Sequence, residues 1–186
     1  PVIAKFILLP EANFSLDALM KKVQLYVDQY HHCVICLAEG AQDNEGILQN
    51  IRYDVPGQPL LGMLAPQLGR IIEENLGLRN HVVIPDYLQR SARHLTSKTD
   101  LEQAIALAKT AYSLAKSGHG GIMVNIERIS DQPYKWTTGR TSLENVAGKE
   151  RKLPENFISS DQLFVTSECI KYLKPLIFGE VNIPYT

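Results

Sequence analysis

The chain has little of what marks several large protein classes. Its 186 residues carry 19 lysines and arginines against 20 acidic residues, a formal net charge of −1. A nucleic-acid-binding domain shows a strongly basic face, so we expect no nucleic-acid partner. No apolar run approaches the ~20 residues that a membrane helix needs, and we expect no membrane partner. The three cysteines favour a reducing cytoplasm over a disulfide framework.

The start of the chain lacks an initiator methionine, and we expect no signal peptide. Pro1 runs directly into a strand-like segment, so we expect a piece of a longer polypeptide. The length suits one sizeable α/β domain, since domains average roughly 150 residues. Hydrophobic residues at 45% and charged residues at 21% are typical of an ordinary globular protein.

Several motifs with known chemistry are missing from the sequence. It contains no P-loop, no complete dinucleotide glycine fingerprint and no HExxH motif. Cys33 and Cys36 are three apart in a predicted strand and would face opposite sides, which favours two core cysteines over a metal site. The GHGG segment at residues 118–121 follows a helix end, whose dipole repels anions, and it is interpreted as a helix stop.

The sequence alternates between patterns typical of strands and patterns typical of helices. Short β-branched runs predict strands, and apolar residues at helical spacing predict amphipathic helices. The predicted strands cover residues 1–9, 33–38, 81–84 and 121–126, and the predicted helices cover residues 15–30, 60–76 and 99–117. Ser15 is predicted to cap the first helix, and Thr99 with Glu102 the third. This rhythm predicts a Rossmann-like three-layer α/β domain with a mainly parallel sheet.

The end of the chain differs from this rhythm. Residues 131–139 are predicted to be turn-like, and a last helix is predicted at residues 167–173. We therefore expect residues 1–128 to form the α/β domain and residues 129–186 to form an irregular, partly helical extension packed on it. In the third helix, the residues at helical spacing that are predicted to be buried are Leu101, Ala104, Ile105, Ala108, Ala111, Tyr112 and Ala115.

The most informative stretch is VVIPDYLQRSARH, at residues 82–94. Tyr87, Arg90, Ser91 and His94 share one face if a helix begins after Asp86. A tyrosine hydroxyl and a guanidinium just beyond a strand end suit a hydroxylated, anionic ligand. A solvated helix start with scattered charges explains the same pattern equally well.

Glu11 is a second candidate, because it directly follows the first predicted strand. In a parallel sheet its carboxylate would lie at the same sheet edge as Tyr87. Such an acceptor-only group suits sugar hydroxyls. A solvated loop glutamate explains this position at least as well.

Four groups of residues resemble the C-terminal half of the phosphofructokinase family, particularly its pyrophosphate-dependent branch, over nearly the whole chain. The most specific is the Tyr-x-Gln-Arg element within VIPDYLQRSARH, followed by SKTD at residues 97–100. The others are LLPE at residues 8–11, LAEGA at residues 37–41, and a tail with YKW (134–136), VA (146–147), ERK (150–152) and YLKPL (172–176).

The resemblance implies a fructose 6-phosphate site in residues 1–128. Tyr87 and Arg90 match the family's substrate-binding pair, and Glu11 matches the glutamate that holds sugar hydroxyls. Arg93 and His94 are candidates for support of this loop. His81 stands where many relatives have an arginine that reaches a neighbouring subunit's phosphate, and Asp86 stands where glycine is common.

The resemblance also implies an activity for the parent enzyme. That enzyme would be a glycolytic phosphotransferase that uses Mg²⁺, bound outside this chain, to transfer phosphate from pyrophosphate to the 1-hydroxyl of fructose 6-phosphate. The family's Gly-Gly-x-Asp and Thr-x-Asp-x-Asp motifs lie in the N-terminal half and do not occur here. We therefore expect an inactive piece that needs its N-terminal half as partner, within a homo-oligomer. A non-catalytic sugar-phosphate or anion-binding regulatory module is the alternative.

Overall fold

The computed structural model describes residues 4–48, 53–55, 58–59 and 63–179. By their contacts the residues fall into two units. Unit one comprises Pro1–Asp86 and Leu153–Cys169, and unit two comprises Tyr87–Lys152 and Ile170–Thr186. The predicted boundary after residue 128 falls inside a strand of unit two, and the predicted division into domain and extension stays a prediction.

Short strands and two long helices build unit one. The strands are β1 (Phe6–Leu8), β2 (Asn13–Phe14), β3 (Ile35–Leu37), β4 (Gln42–Asp43), β5 (Tyr53–Val55) and β6 (Gln58–Pro59), and the helices are α1 (Leu16–Tyr30) and α2 (Leu64–Leu76). β1 pairs with β3 and β2 with β4, both in parallel, whereas β5 and β6 are antiparallel. Parallel strands joined through a helix confirm the α/β class.

Local sequence signals determine the ends of α1 and α2. The Ser15 hydroxyl accepts a hydrogen bond from the Ala18 N–H at 3.2 Å, as an N-cap does. Gly77 ends α2 with a φ of 64°, a left-handed conformation that glycine adopts without a steric penalty. Both predicted helices are confirmed, although residues 60–62 of the second lie outside the described residues.

The apolar core belongs to unit one. Among the core side chains, Leu8, Leu19 and Leu48 have no exposed surface and Phe14 has 1%. α1 contributes Leu19 and three neighbours at helical spacing, because its apolar residues recur on one face. Each fully buried side chain of this kind contributes roughly 1.5–3 kcal/mol to folding.

An ion pair at the surface of unit one should make the stability of the fold depend on pH. Asp161 accepts hydrogen bonds from Lys22 Nζ at 2.6 Å, Ser159 Oγ at 2.5 Å and the Leu163 N–H at 3.2 Å. Burial alone would raise the pKa of this carboxyl, but the three donors outweigh burial and lower the pKa from 3.8 to about 2. The ionised carboxylate therefore stabilises the fold above pH ~4, and this contribution is lost as the pH falls towards 2.

The Asp161→Asn variant should lose this pH dependence. Because 44% of the Asp161 side chain is exposed, solvent screening reduces the contribution to about 1 kcal/mol. We expect the free energy of unfolding of the variant to fall less steeply between pH 4 and pH 2, as measured by urea titration. An identical slope in both proteins would contradict this assignment.

Unit two places a helix against a β-hairpin. Its helices are α3 (Tyr87–Ser91) and α4 (Lys98–Lys116), and its strands are β7 (Ile122–Asp131) and β8 (Tyr134–Ser142). β7 and β8 are antiparallel from the Ile122–Ser142 pair to the Asp131–Tyr134 pair, and among the described residues no third strand joins them. A further helix, α5 (Ser167–Leu173), confirms the last predicted helix. No helix among the described residues is both long and apolar enough to span a membrane.

The structure differs from two of the predicted strands, one in its existence and one in its pairing. Residues 81–84 form no strand, because no strand in the described part of the chain pairs with them and 80% of Val83 is exposed. This segment instead follows α2, where the Asn80 side chain donates to the Gly69 carbonyl at 2.8 Å. The strand predicted at residues 121–126 exists, but it pairs with β8 in a hairpin rather than in a parallel series. The predicted turn at residues 131–139 is wrong beyond Pro133, where β8 begins.

Two predictions for α4 are also wrong. Its N-cap is Ser97, whose hydroxyl accepts from the Asp100 N–H at 3.0 Å. Thr99 instead donates to the Pro175 carbonyl at 3.1 Å. The stripe predicted to be buried is exposed from Ala104 onwards, and the helix turns a different face to the hairpin. The following residues on that face are buried or half-buried: Gln103, Ala106, Leu107, Thr110 and Leu114.

Candidate functional site

The candidate site begins where the chain leaves unit one. Residues 78–85 form neither helix nor strand, and Asp86 has a φ of 43°. Because this turn is left-handed, the chain changes direction immediately before α3 starts at Tyr87. α3 has only five residues, and the Ser91 hydroxyl donates to the Tyr87 carbonyl at 2.9 Å. The condition that a helix begins after Asp86 is therefore met for Tyr87–Ser91.

Tyr87 and Arg90 are brought together by one turn of α3. The Arg90 guanidinium lies 5.7 Å from the centre of the Tyr87 ring, within the range of a cation–π contact. Of the Tyr87 side chain 72% is exposed, and Arg90 is also exposed. A hydroxyl donor and a cationic fork thus stand next to each other at the surface. This pair can bind a ligand that carries both hydroxyl groups and negative charge.

The other residues of the predicted face are less closely associated. Ser91 lies on α3, but its hydroxyl proton is used within the helix. His94 is exposed in the short 3₁₀ helix Arg93–Leu95 that follows. The side chain of Arg93 lies outside what the structure describes. His81 is exposed in the irregular segment of unit one.

Glu11 lies in unit one, in the turn that directly follows β1. One of its carboxylate oxygens accepts a hydrogen bond from the Leu153 N–H at 3.0 Å. This bond holds the exposed side chain in place and leaves the second carboxylate oxygen as an acceptor. Tyr87 and Arg90 belong to unit two, so the three-residue site stays a prediction.

Asn80 is a residue of this region that sequence reasoning missed. Its half-buried amide donates to the Gly69 carbonyl in α2, which fixes the segment that leads to the turn at Asp86. A side chain added at Gly69 would meet Asn80 Oδ1 at 2.7 Å and Val82 Cγ2 at 3.0 Å, so a larger residue at this position would displace the Asn80 side chain. A glycine within a helical pattern is the signal that could have indicated it.

Asp86 allows a direct test of the turn before Tyr87. A β-branched residue at positive φ is strained, whereas glycine adopts this conformation freely. We expect Asp86→Val to lower the free energy of unfolding by about 1–2 kcal/mol, and Asp86→Gly to stay within about 0.5 kcal/mol of the parent chain. Urea unfolding of both variants measures this difference, and equal stability of the two would contradict it.

The described residues form no metal site. No group of three or more His, Cys, Asp or Glu within them could hold a metal ion. Partial burial raises the pKa of the Cys33 thiol, although Lys5 partly offsets it. Cys33 is therefore a thiol rather than a reactive thiolate.

This chain resembles known proteins in both sequence and structure. No known family profile matches the chain. The pyrophosphate–fructose 6-phosphate 1-phosphotransferase of Halomonas elongata is 40% identical over 181 residues, which are 96% of this chain and 43% of that protein. The protein of the same name from Methylococcus capsulatus is 39% identical over 185 residues, which are 98% of this chain and 44% of that protein.

Two solved structures have the same fold as this chain. The pyrophosphate-dependent phosphofructokinase of Nitrosospira multiformis gives a TM-score of 0.83 at 38% identity, over 99% of this chain and 43% of that one. The pyrophosphate-dependent phosphofructokinase of Marinobacter aquaeolei gives 0.80 at 35% identity, over 97% and 42%. The chain thus spans less than half the length of these relatives and matches their C-terminal half. The predicted resemblance is confirmed.

Proposed function

We propose that this chain, a homologue of less than half of a pyrophosphate-dependent phosphofructokinase, is the fructose 6-phosphate-binding part of such an enzyme. The observation that carries this proposal is 40% identity to a named pyrophosphate–fructose 6-phosphate 1-phosphotransferase over 96% of the chain. The exposed pair of Tyr87 and Arg90 supports it, because these two side chains combine the hydroxyl and cationic groups that a sugar phosphate requires.

Each proposed residue has a separate role. Arg90 meets the 6-phosphate dianion with charge-assisted hydrogen bonds, each worth roughly 1.5–3 kcal/mol. Tyr87 offers one directional hydroxyl next to it, and its ring limits where the Arg90 guanidinium can lie. Glu11, held by the Leu153 N–H, accepts hydrogen bonds from sugar hydroxyls. Together these groups fix the orientation of the phosphate acceptor.

Orientation is the contribution that this part makes to catalysis. In phosphoryl transfer the attacking hydroxyl must be in line with the donor phosphate. Correct positioning of two reactants can account for ~7–11 kcal/mol of a barrier. In this proposal, donor binding, proton removal and Mg²⁺ belong to the N-terminal half of the parent, as the resemblance to the phosphofructokinase family implies. We place the parent in the cytoplasm, as a homo-oligomer in glycolysis.

This proposal predicts that the isolated chain forms no fructose 1,6-bisphosphate. In an assay with pyrophosphate, Mg²⁺ and fructose 6-phosphate, we expect activity at the background level, because the donor loop and the aspartate motif are absent from residues 1–186. The full-length Halomonas elongata relative is the positive control. Product formation by this polypeptide alone would overturn the division of roles.

The alternative function, a non-catalytic sugar-phosphate or anion-binding regulatory module, makes a different prediction. An enzyme requires the Gly-Gly-x-Asp and Thr-x-Asp-x-Asp motifs in the polypeptide encoded upstream of Pro1. Sequencing that region discriminates between the two functions. A regulatory module lacks both motifs.

A further inference from the structure

Helix α4 carries two apolar faces, and the hairpin covers only one of them. On the covered face, the Gln103 amide donates to the Tyr134 hydroxyl at 2.7 Å, and Thr110 lies 3.2 Å from the Thr138 hydroxyl. Gln103 is buried, and Leu107 on the same face is half-buried. β7 and β8 thus cover this side of α4.

The second apolar face is exposed. We call it the outward face of α4 and define it by Ala104, Ile105, Ala108, Ala111, Tyr112 and Ala115, all of which are exposed. The exposed fraction is 46% for Ile105 and 70% for Tyr112. Four further polar side chains of α4 occupy a third face, about 110° around the helix from Ala108 at 100° per residue: Glu102, Lys109, Ser113 and Lys116. The third face is polar and is expected to lie in water. The outward face is apolar, and such a face normally packs against another element.

Unit two also lacks a buried core. Within its described residues, no apolar side chain is buried, and the only buried residues are Ser97 and Gln103. A stable domain packs two or three layers around a shared apolar core. α4 and the hairpin therefore form an open arrangement, which a further layer on the exposed side of α4 would complete.

The length of the relatives indicates what supplies this layer. The Halomonas elongata protein is matched over only 43% of its length, so most of such an enzyme lies outside this chain. The outward face belongs to the same unit as Tyr87 and Arg90. In phosphoryl transfer the donor must stand in line with an acceptor held there. A partner that docks on unit two would cover the exposed apolar residues of α4. It would also bring the phosphate donor to the acceptor.

We propose that the outward face of α4 is the surface on which the donor-binding part of the parent enzyme docks. The inference rests on the proposed function and identifies the surface that joins the two parts. Ile105 and Tyr112 are its large apolar anchors, and the alanines between them permit close approach of the docking layer. The polar face with Lys109 stays in water.

The test compares thiol reactivity at two neighbouring positions of α4. Ala108→Cys places a thiol in the outward face, and Lys109→Cys places one on the polar face, about 100° away. Each variant is made in this chain alone and in a fusion in which this chain replaces the matching part of the Halomonas elongata relative. Labelling by a maleimide is followed at each site by peptide mass spectrometry, so that Cys33, Cys36 and Cys169 do not interfere.

We expect the thiol in Ala108→Cys to react at least tenfold more slowly in the fusion than in this chain alone, and the thiol in Lys109→Cys to react equally fast in both. Equal rates at Ala108→Cys in a folded fusion would overturn the proposal. In the isolated chain, protection of Ala108→Cys but not of Lys109→Cys that grows with concentration would also overturn it, since a second copy would then cover the face.

If the fusion does not fold, a second measurement takes its place. The unmatched part of the relative is produced separately and mixed with the Ala108→Cys chain, and the same slowing is expected. Full reactivity of the thiol in a mixture that co-elutes as a complex would contradict the docking site. Fructose 6-phosphate binding is measured on the same samples. Protection without substrate binding rejects the proposed function alone, and binding without protection rejects the docking surface alone.

Discussion

Replacement of Arg90 by alanine is expected to weaken fructose 6-phosphate binding by at least tenfold. The guanidinium would form charge-assisted hydrogen bonds with the 6-phosphate, each worth roughly 1.5–3 kcal/mol. A tenfold change in affinity corresponds to about 1.4 kcal/mol, so the loss of a single such bond is sufficient. Isothermal titration calorimetry of the chain with fructose 6-phosphate measures the effect directly.

Two further variants distinguish local geometry from general charge. Arg90→Lys retains the charge but not the bidentate fork, and it should bind with intermediate affinity. Arg79→Ala removes an exposed arginine from the segment before the turn, and it should bind like the parent chain. Unchanged affinity of Arg90→Ala, or an equal loss in Arg79→Ala, would refute the assignment of Arg90.

Replacement of Asp43 by alanine is expected to lower the free energy of unfolding by about 3 kcal/mol. This side chain is only 6% exposed. Its carboxylate accepts N–H bonds from Glu45 at 3.0 Å, Ile47 at 3.3 Å and Leu48 at 2.5 Å. Hydrogen bonds to a charged group contribute roughly 1.5–3 kcal/mol each, and removal of the acceptor leaves three donors without their partner.

The effect of Asp43 should extend to helix α1, because Glu45 in the same loop accepts hydrogen bonds from Ser15 Oγ at 2.9 Å and from the Leu16 N–H at 3.1 Å. Asp43→Asn keeps one acceptor oxygen and should lose about half as much stability. Glu102→Ala removes an exposed carboxylate 3.8 Å from Lys98, a pair worth less than ~1 kcal/mol. Urea unfolding measures all three variants, and a loss below 1 kcal/mol in Asp43→Ala would contradict the role of this carboxylate.

The elements that could be predicted from the sequence are those fixed by neighbouring residues. Ser15 caps α1 and Gly77 ends α2, because a cap or a left-handed glycine depends on the backbone within one helical turn. The pairing of Tyr87 with Arg90 follows from their spacing of three on α3. Local signals of this kind do not depend on the rest of the fold.

The elements that could not be predicted depend on distant partners. The β-branched residues 82–84 have strand composition, but a strand requires a neighbour with which to pair, and composition does not reveal one. β8 carries a period-two pattern in which Tyr134, Trp136 and Thr138 are half-buried and the residues between them are exposed. The prediction of a turn at residues 131–139 missed this pattern. On α4, two faces satisfy the helical period, and packing rather than sequence selects one.

The site was predicted in part. The sequence indicated Tyr87 and Arg90, and the structure places them side by side. It did not indicate Asn80, whose bond to α2 depends on a contact eleven residues away. The substrate-binding roles of Glu11, Tyr87 and Arg90 follow from resemblance and stay predictions until binding is measured.

The hairpin of unit two has a consequence for how the parent protein is made. β7 and β8 have 10 and 9 residues, and two-stranded ribbons expose backbone groups that pair readily with strands of other molecules. Protein synthesis proceeds from the N-terminus, so in the relatives the matching half leaves the ribosome after the rest of the polypeptide has emerged. In that order, the part that we propose to dock on α4 would already exist when the hairpin appears. Expressed alone, this chain meets only other copies of itself, and we expect aggregation that increases with its concentration.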